Sequence, residues 1–141
     1  MSRLKGAESE AMFAYVALKL QWEIAEPLHH SPYTYDFIIR RHSRKWETVQ
    51  VKTAWCETRT GNRKKTIRVS LRHTSASRYN VRYKHGDFDL LCVVYYDDVW
   101  LIPWKKVKNN STVVISSKKY DAYKMDLNRG VKPKTIIPRA N

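Results

Sequence analysis

The stretch YDFIIRRHSRKWETVQVKTAW, residues 35–55, holds two strand-like segments around a basic break. Tyr35-Asp36-Phe37-Ile38-Ile39 is aromatic and β-branched, the composition of a short strand. Arg41-His42-Ser43-Arg44 interrupts it, and Trp46 to Trp55 alternates as a partner strand would. Alternation puts Gln50 and Lys52 on one face and Val49 and Val51 on the other. A turn centred near Ser43 or Arg44 sets Asp36 opposite Gln50 or Lys52. A carboxylate, an amide and an amine then share one surface of a twisted sheet. Such oxygens suit a hard cation such as Mg2+, which keeps several waters. A cation there stabilises charge on a phosphate oxygen and helps to generate a hydroxide nucleophile. The adjacent lysine can orient or deprotonate the attacking water, or stabilise the transition state. On spacing alone, an Asp and a Lys on neighbouring strands more often form a surface ion pair.

On the N-terminal side, Ala7, Ala11, Ala14, Tyr15, Leu18 and Trp22 recur at three- and four-residue steps. They predict an amphipathic helix over 6–22, ending before Pro27. On the C-terminal side, Gly61-Asn62-Arg63 reads as a turn. Thr66 to His73 alternates, with Ile67, Val69 and Leu71 on one face and Arg68, Ser70 and Arg72 on the other. Thr74 to Gly86 is polar and basic and reads as a loop. Phe88 to Tyr96 is nearly all apolar, as a central strand covered on both faces would be. Asp97-Asp98 turns into Val99-Trp100-Leu101-Ile102, which Pro103 stops, and Thr112 to Ile115 is a further strand candidate. One helix, a meander of about five strands and weaker C-terminal elements outline an α/β sandwich. Met125 to Asn141 reads as a basic tail.

A chain of 141 residues predicts one domain with a real core, and 43% hydrophobic residues are enough to fill it. No apolar run approaches the ~20 residues of a membrane span, and the polar segment from Met1 to Glu10 is unlike a signal peptide. Cys56 and Cys92 lack metal-ligand spacing and read as two reduced thiols in a cytoplasmic protein. Charge says more. Twenty-seven Lys and Arg against 13 Asp and Glu leave a net charge of +14, which points to a polyanionic partner, DNA or RNA. A membrane surface would call for a basic amphipathic helix, whereas these basic residues sit in strand-like and loop-like stretches.

Gly6 and Glu10 on the first helix, Tyr35-Asp36 on a strand and Gln50-Val51-Lys52-Thr53 on the next form an ordered set of short motifs. With Phe88-Asp89-Leu90-Leu91 and Val99 to Pro103, they resemble the PD-(D/E)XK nuclease superfamily. Within it they are most similar to the small homing endonucleases of group I introns in cyanobacteria and their phages. The likeness runs from about Lys5 to Val107. It implies an α/β, restriction-endonuclease-like core: a mixed sheet of about five strands with flanking helices. It further implies Mg2+, with Mn2+ as a substitute, held by Asp36, Gln50, the Val51 carbonyl and Glu10, while Lys52 positions the attacking water. Glu8 is the alternative helix acid, although it lies on a different side of the helix. The chain departs from the superfamily pattern at Gln50, where an acid is usual, and at Tyr35, where proline is.

The implied partner is double-stranded DNA, cut by a homodimer or homotetramer, because two strands need two sites. A Holliday-junction resolvase and an inactive DNA-binding protein on the same fold remain the alternatives. Candidate DNA contacts are Arg40, Arg41, Arg44 and Lys45 at the first hairpin turn, with Arg63, Lys64 and Lys65 in the next loop. Arg68 and Arg72 line one strand face, and Arg78 and Arg82 follow. A two-stranded ribbon fits a major groove, so the strand holding Arg68 and Arg72 is the candidate reader of sequence. DNA affinity is expected to fall steeply with added salt, because lysine and arginine contacts to phosphate release counterions. A flat dependence in an anisotropy titration would exclude DNA as the partner.

Overall fold

The apolar alternation and the turn residues between them divide the described residues into one long helix and ten strands. The computed structural model describes residues 2–29, 34–42, 44–58, 65–73 and 81–127. In chain order these form helix α1 (Ser2–Lys19), β1 (Glu23–Ala25), β2 (Phe37–Arg40), β3 (Trp46–Thr53), β4 (Trp55–Thr58) and β5 (Lys65–Ser70). Then come β6 (Arg72–His73), β7 (Val81–Arg82), β8 (Leu90–Tyr95), β9 (Asp98–Pro103) and β10 (Thr112–Val114), with short 3-10 turns at Trp104–Lys106 and Lys118–Tyr123. The expected turn at Gly61, and residues 128–141 of the expected tail, lie outside the described residues.

The central sheet has the order β1-β2-β3-β8-β9. All its pairings are antiparallel except β3 with β8, so the sheet is mixed, as expected, but its strands do not run as a meander. The chain leaves β3, makes β4 to β7, and returns to lay β8 parallel to β3. Such a pair is stable only when both faces are covered, and every residue from Leu90 to Val94 is buried. Leu90, Cys92 and Val94 pack with Val49, Val51, Phe13, Val16 and Ala17 beneath α1. Leu91 and Val93 pack on the other side with Val69, Leu71, Val113 and Ile115, from the region of a second sheet ordered β10-β5-β4.

Asp89 holds the parallel register. Its carboxylate accepts the Thr48 N–H at 2.9 Å and the Thr48 hydroxyl at 3.2 Å, while its own N–H reaches the Thr48 carbonyl at 3.1 Å. The ladder then runs from Val49 opposite Leu90 to Thr53 opposite Val94.

Three expectations change. First, α1 begins earlier and ends at Lys19, where a reversal stops it well before Pro27. Gln21 takes a φ of 62°, and the N–H groups of Gln21 and Trp22 return to the carbonyls of Leu18 and Ala17. Its buried face is Ser9, Phe13, Val16 and Ala17, whereas Ala7, Ala11, Tyr15 and Leu18 of the predicted stripe are exposed. The helix carries apolar residues on both sides, so periodicity does not select the face. Second, the strand from Trp46 breaks at Ala54, where the chain passes from the central sheet to the second. Third, the strand from Thr66 breaks at Leu71, and Val81–Arg82, inside the expected loop, pairs with Arg72–His73.

Leu91, fully buried at the middle of the sheet, tests this layering. Leu91→Ala is expected to lower stability by about 3 kcal/mol in urea unfolding, from lost burial and the cavity left behind. A loss under about 1 kcal/mol would mean the second layer does not close over the sheet.

Candidate active site

β2 and β3 pair from Phe37 opposite Val49 to Arg40 opposite Trp46. One step further this register sets Asp36 opposite Gln50, one of the two partners expected for it. The ladder ends there and a side chain takes over. The Asp36 N–H still reaches the Val49 carbonyl at 2.8 Å, but the Val51 N–H is accepted by Asp36 Oδ2 at 2.8 Å. Within a strand the N–H and C=O of one residue face the same neighbour, so the Val51 carbonyl points into the same gap. Gln50 Nε2 donates to that carbonyl at 3.2 Å. Asp36 and Gln50 thus both meet the Val51 peptide groups just past the start of β2.

Lys52 leaves β3 on the face opposite α1. Its Nζ donates to the main-chain carbonyl of Arg72 at 2.9 Å and lies over the Tyr83 ring, 5.3 Å from the centroid. Burial pushes the Lys52 ammonium below the usual lysine range, and the Asp36 charge opposes this. Burial pushes the Tyr83 phenol up, with Asp36 and then Asp87 adding to it. Cys92, wholly buried in the neighbouring strand, is raised by burial and then by Asp36. Both stay protonated at neutral pH. Burial is thus the main influence on this lysine, phenol and thiol, with the Asp36 carboxylate a shared second one.

On the other side of β3, Ser9 Oγ meets Thr53 Oγ1 at 2.6 Å and Thr53 Oγ1 donates to the Lys5 carbonyl at 3.3 Å, pinning the start of α1 to the end of β3. Between them opens a cleft of about 370 Å³ lined by Lys5, Gly6, Val51, Lys52, Thr53 and Trp55. Glu10 follows Ser9 and is half-buried; Glu8 is exposed. Both belong to the helix that covers the Val49 and Val51 face, whereas Gln50 and Lys52 emerge on the other. The structure thus brings Asp36, Gln50, Val51 and Lys52 together and sets Glu10 in the adjoining layer.

Among the described residues no group of three or more His, Cys, Asp or Glu could hold a metal. The donors at the Val51 peptide are instead one carboxylate, one main-chain carbonyl and one amide, all oxygen donors once the Gln50 amide is turned. Amide orientation follows whatever the group faces. That set fits a hard divalent cation that keeps much of its water.

The basic residues divide. Arg40 pairs with Glu23 through Nε and Nη2 and lies over the Trp46 ring. Arg41 is bidentate to Glu47 at 2.9 and 3.1 Å and lies over Trp22. Arg68 is held by Glu57 at 2.8 Å. Arg44, Lys45 and Lys65 are exposed. Arg72 and Arg82 face each other across the β6–β7 ladder, and Arg82 Nη2 reaches the Asn109 carbonyl at 3.3 Å. Arg63, Lys64 and Arg78 lie outside the described residues. Arg68 and Arg72 fall in different sheets, so the single ribbon expected to carry both does not exist. Sequence reasoning also missed Tyr83 and the Arg72 carbonyl, because a stretch read as loop offers no motif and a backbone oxygen leaves no trace in residue type.

The chain matches the PD-(D/E)XK endonuclease family over residues 1–127. It is 33% identical over 116 residues to Protein 5.3 of Escherichia phage T7, covering 82% of this chain and 91% of that protein. Its fold is similar to the solved structure of a bacterial homing endonuclease, I-Ssp6803I, with a TM-score of 0.67 and 22% identity over 91% of this chain and 86% of the other.

Because burial depresses Lys52, the folded chain binds that proton less tightly than the unfolded chain does. The resulting loss of stability is fully present below the folded pKa and is relieved as pH rises through it. Lys52→Met carries no such loss. In metal-free buffer the stability of Lys52→Met relative to wild type is expected to be highest near neutrality and to shrink toward pH 10. A gap that widens with pH in urea melts would contradict burial as the dominant influence.

Proposed function

This chain belongs to the PD-(D/E)XK endonuclease family, and we propose that it is a divalent-metal-dependent endonuclease that hydrolyses phosphodiester bonds of double-stranded DNA at specific sites. The observation that carries this reading is the convergence of Asp36 and Gln50 on the Val51 peptide groups, with Lys52 next in the strand. Asp36, the Gln50 amide oxygen and the Val51 carbonyl would hold Mg2+ or Mn2+, with Glu10 assisting from the helix. The cation, when bound, supplies charge neutralisation at the scissile phosphate and favours ionisation of water.

The chain's own groups do the rest. Lys52 donates to the attacking water and to the phosphate as negative charge builds. The water oxygen bonds to phosphorus and gives up a proton to solvent, the bond from phosphorus to O3′ breaks, and O3′ takes a proton from solvent. The products are a 5′-phosphate and a 3′-hydroxyl. Gln50 in place of an acid removes one negative charge, so a cation held here would depend in part on the DNA phosphate. Arg44, Lys45, Lys65, Arg72 and Arg82 contact backbone phosphates, as do Arg63, Lys64 and Arg78, while Arg40, Arg41 and Arg68 must exchange their glutamates to do so. Contacts of this kind position the duplex without reading it.

We take the whole chain as one nuclease domain with a basic C-terminal extension, acting as a homodimer or homotetramer in the cytoplasm and serving as a homing endonuclease. No described helix is long and apolar enough to cross a membrane. Gln50 also favours a second reading, a DNA-binding protein on this fold that does not cut.

Cleavage of a long, diverse DNA pool separates the two. With Mg2+ or Mn2+, discrete fragment ends are expected, absent with EDTA and lost in Lys52→Ala while DNA affinity stays nearly unchanged. Binding without any cut in either metal would favour the inactive reading. Preference for four-way junctions over every linear duplex would make it a structure-specific resolvase. Undiminished cutting by Lys52→Ala would remove the site assignment.

A further inference from the structure

We propose that Tyr83, together with the main-chain carbonyl of Arg72, is the positioning element for the Lys52 ammonium, which makes the β6–β7 ladder part of the cutting machinery. The inference rests on the nuclease reading for its consequence, but its geometry stands apart from it. A lysine amine on a four-carbon stem is mobile unless its end is held. Here the end is held twice. One Nζ proton goes to the Arg72 carbonyl at 2.9 Å, and the charge lies over the negative face of the Tyr83 ring at 5.3 Å.

The holder is itself fixed. Tyr83 is 7% exposed and stands edge-on to Phe88 at 5.1 Å, and Phe88 stands edge-on to Trp104 at 5.2 Å. Phe88 precedes Asp89, which sets the register of β8 on β3. The ring that carries the Lys52 charge is thus tied to the same turn that aligns the strand carrying Lys52. A lysine stem often covers an aromatic ring merely to bury carbon. In this site the amine itself lies over the ring, and it does so within the field of Asp36.

The ladder also offers a reason to respond to DNA. Arg72 and Arg82 are directly opposed across it, which sets two cationic residues side by side for a backbone phosphate. The same contact would steady the Arg72 carbonyl against Lys52.

The test uses the full chain with Tyr83→Phe, which keeps the ring, and Tyr83→Leu, which removes it. If Tyr83→Leu fails to give a cooperative urea melt, Tyr83→Met replaces it, retaining volume without an aromatic face. Single-turnover cutting by Tyr83→Phe is expected to stay within about threefold of wild type, since the ring face carries the contact. Tyr83→Leu is expected to lose roughly 10- to 100-fold in rate, as a misplaced group does, with DNA affinity measured in EDTA unchanged.

A second arm needs no cleavage. Trace reductive methylation, read by mass spectrometry, is expected to label Lys52 several-fold faster in Tyr83→Leu than in wild type or Tyr83→Phe. Equal Lys52 labelling in all three proteins overturns the inference. So does a loss of DNA affinity as large as the loss of rate, which would make Tyr83 a binding or folding residue. A wild type that cuts no DNA sinks the nuclease reading instead, and the labelling contrast still decides whether Tyr83 holds Lys52.

Discussion

The parallel pairing of β3 with β8 is the constraint on which the other features depend. Parallel neighbours cannot be joined by a tight turn, so the chain between them must travel. In travelling it builds β4, β5, β6 and β7. Those strands close one face of the sheet and deliver Arg72 and Tyr83 to the side chain of Lys52. The register is set at one point, where Asp89 takes both the N–H and the hydroxyl of Thr48. A slip of one residue there would turn Lys52 into the α1 layer and Val51 out of it.

Within that frame the site uses little charge. Asp36 is its central carboxylate, and much of its partner chemistry is main chain: the Val51 N–H, the Val51 carbonyl and the Arg72 carbonyl. Backbone groups on a sheet do not reorient, which suits a site that must keep its geometry while a large polyanion docks. Desolvation acts in the same place, holding Lys52 down and keeping Tyr83 and Cys92 protonated. Nearby arginines are quieter than their number suggests. Arg40 and Arg41, at the head of the hairpin, are paired with Glu23 and Glu47 and stacked on tryptophans, so part of the positive charge is committed to structure.

Residue type carried the hairpin because two local rules agree there. Alternation assigned faces to Val49 through Lys52, and the polar break between the strands narrowed the partner of Asp36 to Gln50 or Lys52, of which the ladder selects Gln50. The double coverage of β8 was likewise visible in its unbroken apolar run. The face of α1 was not visible: apolar residues ring that helix, and only the tertiary contacts of Phe13 and Val16 choose between them. Nor were the breaks at Ala54 and Leu71, where unremarkable residues leave one sheet for another because the layers require it. Tyr83 was hidden for a similar reason, since a long-range aromatic contact has no local period.

The exposed side of α1 has a consequence for how molecules of this protein behave toward one another. Ala7, Ala11, Tyr15 and Leu18 form an apolar strip in contact with water, with Leu18 67% and Tyr15 53% exposed. Two such strips attract at short range, while the net charge of +14 keeps whole molecules apart at longer range. Electrolyte shortens the reach of the second effect to about 10 Å at 0.1 M and leaves the first intact. The positive excess is therefore a colloidal stabiliser as well as a grip on polyanions, and concentrated salt weakens both at once.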